Sequence, residues 1–144
     1  MEKRNPIISL QFSVRFAKEY LEKLNEMYES HSLEKIQESR NLTIMHKALW
    51  VALIIEVGCL FDKYSSKNGD KEVISLFKID SLKKEINRIF GERIIQKILN
   101  TRNTFTAHKG EKKGEVISVE EIRNSKLKKL LDELDAALLS PDIK

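Results

Sequence analysis

The sequence predicts a single all-α domain built as a bundle of about five helices, and three observations carry that prediction. Apolar residues recur at steps of three and four along most of the chain, the period of an amphipathic helix. Both prolines, Pro6 and Pro141, lie near the ends, so nothing between them forces a helix to break. No set of segments shows the period-two alternation of half-buried strands. A length of 144 residues suits one domain with its own core. No internal repeat, low-complexity stretch or long linker divides the chain, so residues 1–144 are read as one unit.

The first helix is marked by Leu10, Val14, Ala17, Leu21, Leu24 and Tyr28, an apolar stripe that Phe12, Phe16, Tyr20 and Met27 widen. Ser30-His31-Ser32 interrupts it, and Ser32 is placed to cap the next helix. That more polar helical stretch starts at Leu33 and either runs on into 44–62 or breaks near Ser39-Arg40-Asn41. From Ala48 to Phe61 the pattern is apolar nearly all round, which predicts a central helix packed on several sides. Residues 64–70 read as a loop by composition, and Val73 to Phe77 as a short helix or an extended piece. Asp80 or Ser81 caps a short helix carrying Leu82, Ile86, Ile89 and Phe90, which Gly91 ends. Glu92 opens another helix with Ile94, Ile95, Ile98, Leu99 and Phe105 on one face. Gly110 to Gly114 is a charged loop. Ser118 and Glu121 have capping-box spacing at the start of one last helix, which Ser140-Pro141 stops.

Composition narrows the function. With 41% hydrophobic and 33% charged residues the chain is globular in type, neither disordered nor membrane-like. The formal net charge of +4 permits nucleic-acid binding without requiring it. The start of the chain leads into Gln11, Ser13 and Arg15 rather than an apolar leader. The most apolar stretch is shorter than the roughly 20 residues of a membrane span and contains Glu56. No membrane partner is therefore expected, and the single Cys59 reads as a buried thiol in a reducing, cytoplasmic setting. Phosphate loops, HExxH, CxxC, EF-hand and GxSxG patterns are all missing from the sequence. His31, His46 and His108 are too scattered to form a local metal pair on one helix. ATP hydrolysis, zinc and dinucleotide chemistry, with the cofactors they need, are therefore not expected.

Chemistry concentrates near the end of the Glu92 helix. At about 100° per residue, Arg102 falls inside the apolar arc, between Ile98 and Leu99. A guanidinium on a face meant for burial needs a partner: a carboxylate, a carbonyl cluster, a second subunit or a bound anion. Glu56, the one acid in the apolar run of the central helix, is the structural candidate. His108 lies about 120° round from Arg102 and further along, where both can line one cleft.

Arg102, followed directly by Asn103 and then by four residues and His108, resembles the Arg…His motif of the HEPN family. A Trp50-containing apolar helix ending in Leu60-Phe61-Asp62, a loop and a short segment before the motif are similar to the abortive-phage-infection branch of that family. The resemblance covers the chain from about His46 onward. It implies an HEPN-like helical fold and a metal-independent endoribonuclease of phage-defence or toxin–antitoxin type. It further implies a homodimer whose two Arg/His motifs form one composite site, RNA as substrate and a cognate antitoxin as partner. In that scheme Arg102 holds the phosphate, Asn103 orients phosphate, ribose or His108, and His108 serves as base or acid. Lys109, Lys112 and Lys113 would bind RNA. The apolar stripe of the first helix and the face bearing Arg102 would contribute to the dimer. The rival reading is a non-catalytic HEPN-like interaction or scaffold module, with Arg102 in a structural ion pair.

Overall fold

The computed structural model describes residues 6–62, 75–105 and 114–140. Seven α-helices form among them and no strand, so the all-α expectation holds with more helices than expected. α1 (Pro6–Ser30) buries Leu10, Val14, Ala17, Leu21, Leu24 and Tyr28, the stripe its periodicity marks, against α3 and α7. Phe12 and Phe16 do not widen that stripe: they are 55% and 45% exposed. They lie on the flank of α1 that no other described helix covers.

Ser32 caps α2 (Leu33–Glu38) by accepting a hydrogen bond from the Lys35 amide. Ser39, in extended conformation, ends this helix and caps α3 (Arg40–Leu60) through Leu42. The chain therefore breaks at Ser39 and does not run on. Thr43 Oγ1 donates to the Ile36 carbonyl over 2.7 Å and fixes α2 on α3.

α3 departs from expectation. Leu53, Ile54, Val57, Gly58 and Leu60 are buried, and the helix packs on α1, α2 and α5. Its opposite face is open, with Ile44, Met45 and Ile55 exposed. Cys59 is exposed too, and is not the buried thiol its apolar setting suggests. Apolar residues all round the helix do not here mean neighbours all round. By length and mean hydropathy, 21 residues and 1.6, α3 is the one described helix with the dimensions of a membrane crossing. Its buried side is nonetheless built into the core shared by the other helices.

Residues 63–74, including Val73, lie outside the described residues. Ser75 is extended, and two 3-10 turns, Leu76–Lys78 and Asp80–Leu82, lead into α4 (Lys83–Phe90). Neither Asp80 nor Ser81 caps α4, whose N-cap is Leu82 without a side-chain bond. Gly91 does end it, in right-handed helical conformation. Phe61, Phe77 and Phe90 close this corner with ring centroids 5.2–6.2 Å apart. α5 (Arg93–Thr104) packs Ile94, Ile95 and Ile98 inward against α3.

The final helix expected from Ser118 onward is two: α6 (Val119–Arg123) and α7 (Ser125–Leu138), split at the extended residue Asn124. Asn124 accepts from the Lys126 amide, so its side chain caps α7 as it breaks α6. The capping box of Ser118 and Glu121 forms as its spacing predicts. One cluster of buried apolar side chains includes residues from all seven helices.

Candidate functional site

Arg102 leaves the last turn of α5 and lies across the C-terminal turn of α3. Its Nη2 is 3.7 Å from Asp62 Oδ1, with side chains 25% and 33% exposed. The partner is thus Asp62, not Glu56. Helical geometry explains the correction: Glu56 sits about 160° round α3 from Gly58, whereas Asp62 directly follows the C-cap Phe61, at the end of the helix that Arg102 crosses. The Arg102 side chain rests on Gly58 itself, where a Cβ would stand 2.6 Å from Cδ and 2.9 Å from Nη1. The Cys59 thiol lies near the same guanidinium. Desolvation by the surrounding groups pushes that thiol up in pKa, and the nearby guanidinium only partly offsets it, so Cys59 stays protonated at neutral pH.

A shallow cleft of about 460 Å³ opens beside the guanidinium. Phe61, Asp62 and Phe90 form one side, and Gln96, Leu99, Asn100, Arg102 and Asn103 of α5 the other. The structure therefore brings Arg102 and Asn103 together at one surface, with Asn103 exposed. Gln96 Nε2 donates to the Phe90 carbonyl at 2.6 Å, and Asn100 Nδ2 to the Glu115 carbonyl at 3.0 Å. Both amide groups are thus fixed by backbone atoms at the cleft wall. His108, Lys109, Lys112 and Lys113 lie outside the described residues.

The chain returns at Gly114, and the last turns of α5 hold it there. Gly114 has φ +84°, a conformation that favours glycine, and a Cβ there would stand 2.8 Å from Asn100 Nδ2. Thr101, buried one position before Arg102, accepts from the Ile117 amide at 2.9 Å and donates to the Lys97 carbonyl at 2.7 Å. Arg93 and Lys97 pair with Glu115 and Glu121, lowering both carboxyl pKa values mainly through those hydrogen bonds. Residues 114–117 thus pack back on α5, the helix that Phe105 ends.

Arg102 also borders the open side of α3. Ile44, Ala48, Ile55 and Cys59 fall within an arc of about 60° on that helix, and Gly58 and Asp62 flank its end. The guanidinium therefore lies at one end of an uncovered apolar strip. The sequence pattern singled out Arg102 and Asn103 but missed Asp62, Gly58 and the phenylalanine wall. One signal could have found the first two: a glycine in a helix of bulky residues marks a close approach, and an acid one turn later shares its face.

A second polar cluster lies away from this cleft. Tyr28 and His46 share a 2.7 Å hydrogen bond, with Trp50 beside the imidazole and Arg123 over the phenol ring. Burial lowers the His46 pKa and pushes the Tyr28 phenol up to about 12.

Comparisons with family models, curated proteins and solved structures find no significant match to this chain. The HEPN resemblance accordingly rests on its motif residues and their setting.

Proposed function

We propose that this protein is a metal-independent endoribonuclease of HEPN type, acting in phage defence or as a toxin, with a composite site formed by two copies of the chain. The observation that carries the reading is Arg102, held partly exposed at a cleft beside Asn103 and bordering an uncovered apolar strip. A structural arginine needs a carboxylate; it does not need an open cleft at its other side. The guanidinium can grip two phosphate oxygens and steady the charge of a phosphorane. His108 of one copy would take the proton of the ribose 2′-OH, whose oxygen attacks phosphorus. The second copy's His108 would protonate the departing 5′-oxygen. The products are a 2′,3′-cyclic phosphate and a free 5′-hydroxyl. Lys109, Lys112 and Lys113 would hold the flanking backbone, and a cognate antitoxin would restrain the activity in the cell.

The open strip of α3 supports the dimer. The contribution assigned to α1 changes: its stripe is spent on the core, and only Ile8, Phe12 and Phe16 remain as large exposed apolar residues on that helix. Pairing through α3 would bring two copies of Arg102 toward one another and join their clefts.

The Arg102–Asp62 pair favours a second reading, a non-catalytic interaction module in which Arg102 only holds α5 to α3. Arg102→Ala separates the two. As a partly exposed pair it contributes about 1 kcal/mol to stability, so the endoribonuclease reading expects RNA cleavage to vanish with only a small loss in melting temperature. Undiminished cleavage together with a sharp drop in melting temperature would favour the module.

A further inference from the structure

We infer that Gly58 and Asp62 are positioning residues that preset the Arg102 guanidinium for an anionic substrate group, an inference that rests on the proposed ribonuclease reading. Gly58 is buried in the last turn of α3, where glycine is a poor helix former. Its backbone does not require glycine, since among the described residues Gly114 alone has positive φ. What requires it is one side chain. The three atoms nearest to a Cβ at this position all belong to Arg102: Cδ at 2.6 Å, Nη1 at 2.9 Å and Nε at 3.0 Å. Gly58 is thus a floor cut to the shape of the arginine.

Asp62 supplies the end stop, with Oδ1 3.7 Å from Nη2. The missing Cβ lets the side chain lie flat against the end of α3, and the Asp62 carboxylate draws the guanidinium by its charge. A guanidinium ordered before substrate arrives loses less freedom on gripping a phosphate. The side chain keeps 25% exposure on the cleft side, so the clamp leaves an approach open.

The clamp can be broken without attacking the core. In Gly58→Ala the three atoms nearest the new methyl belong to one flexible side chain, while the helix gains a better former. Asp62→Asn keeps the shape and removes the charge. Both full-length variants would be compared with the parent by thermal melting, by the Nε–Hε NMR signal of Arg102 (assigned by its loss in Arg102→Lys) and by steady-state RNA cleavage. Gly58→Ala should melt at or above the parent and shift the Arg102 signal. It should also lower kcat at least about tenfold, with KM changed far less. Asp62→Asn should shift the same signal and lower kcat by a smaller factor. An Arg102 signal unmoved in both variants would overturn the clamp, as would parent-like kcat in Gly58→Ala. If the parent cleaves no RNA while the Arg102 signal moves in both variants, the clamp stands and the ribonuclease reading is what fails.

Discussion

Thr101 shows how one residue joins the site to the fold. Its hydroxyl serves two backbone groups at once, and it is buried, at 6% exposure. Thr101→Val keeps the volume but leaves the buried Ile117 amide without an acceptor. That should cost about 2 kcal/mol, read from chemical denaturation at unchanged m-value. His46 makes a different prediction, one of pH. Burial lowers its folded pKa below the ordinary 6.5, so below that pH the unfolded chain binds a proton that the folded chain resists. Stability should therefore fall as pH drops from about 6.5 toward the lower folded value, and flatten beyond it. His46→Gln should lack this component when the two denaturation midpoints are compared from pH 7 to 5; identical slopes would refute it. Residue-level reading of the sequence found Arg102 because a charge breaks an apolar arc. It named Glu56 as the partner because that acid lay in the apolar run. Pairing across 40 positions is set by how α5 crosses α3, and no local pattern encodes that crossing.

At the scale of elements, what was legible is what local chemistry decides. The caps at Ser32 and Ser118 form where their spacing places them, since an N-cap bond spans only three residues. Ser118→Ala removes one orphan-amide acceptor and one of the donors to Glu121, which keeps the Ser118 amide at 3.2 Å and Lys97 of α5 at 2.8 Å. The expected loss is about 1 kcal/mol by denaturation, with hydrogen exchange rising first in α6. The split between α6 and α7 was missed, although the five-residue step from Ile122 to Leu127 turns about 140° and breaks the rhythm of threes and fours. Asn124 caps the next helix at that break. The faces of α1 and α3 failed for a related reason. Periodicity assigns a residue to a face but does not say whether anything covers it, so Phe12, Phe16 and Ile55 read as core and stand exposed.

For the whole molecule, one core is shared by all seven described helices, and α3 presents apolar residues on both its sides. An uncovered strip of this kind is costly to leave in water and favours association. Under the dimer proposal, Ile44→Glu with Ile55→Glu should yield a monomer by light scattering at concentrations where the parent is a dimer. Monomer stability should change by less than about 0.5 kcal/mol per site, since both residues are exposed. A parent that stays monomeric at high concentration would contradict the composite site. The all-α class followed from periodicity and the placement of proline, while the cleft followed from neither. Its walls come from α3, α4 and α5 and meet only when the helices pack.

The most direct test of the central claim is cleavage of a panel of structured RNAs in EDTA by the parent and by His108→Ala, purified side by side. The parent should cut RNA and leave cyclic-phosphate ends, and the variant should leave the panel intact. Equal cleavage by both proteins, or none by either across the panel, would contradict it.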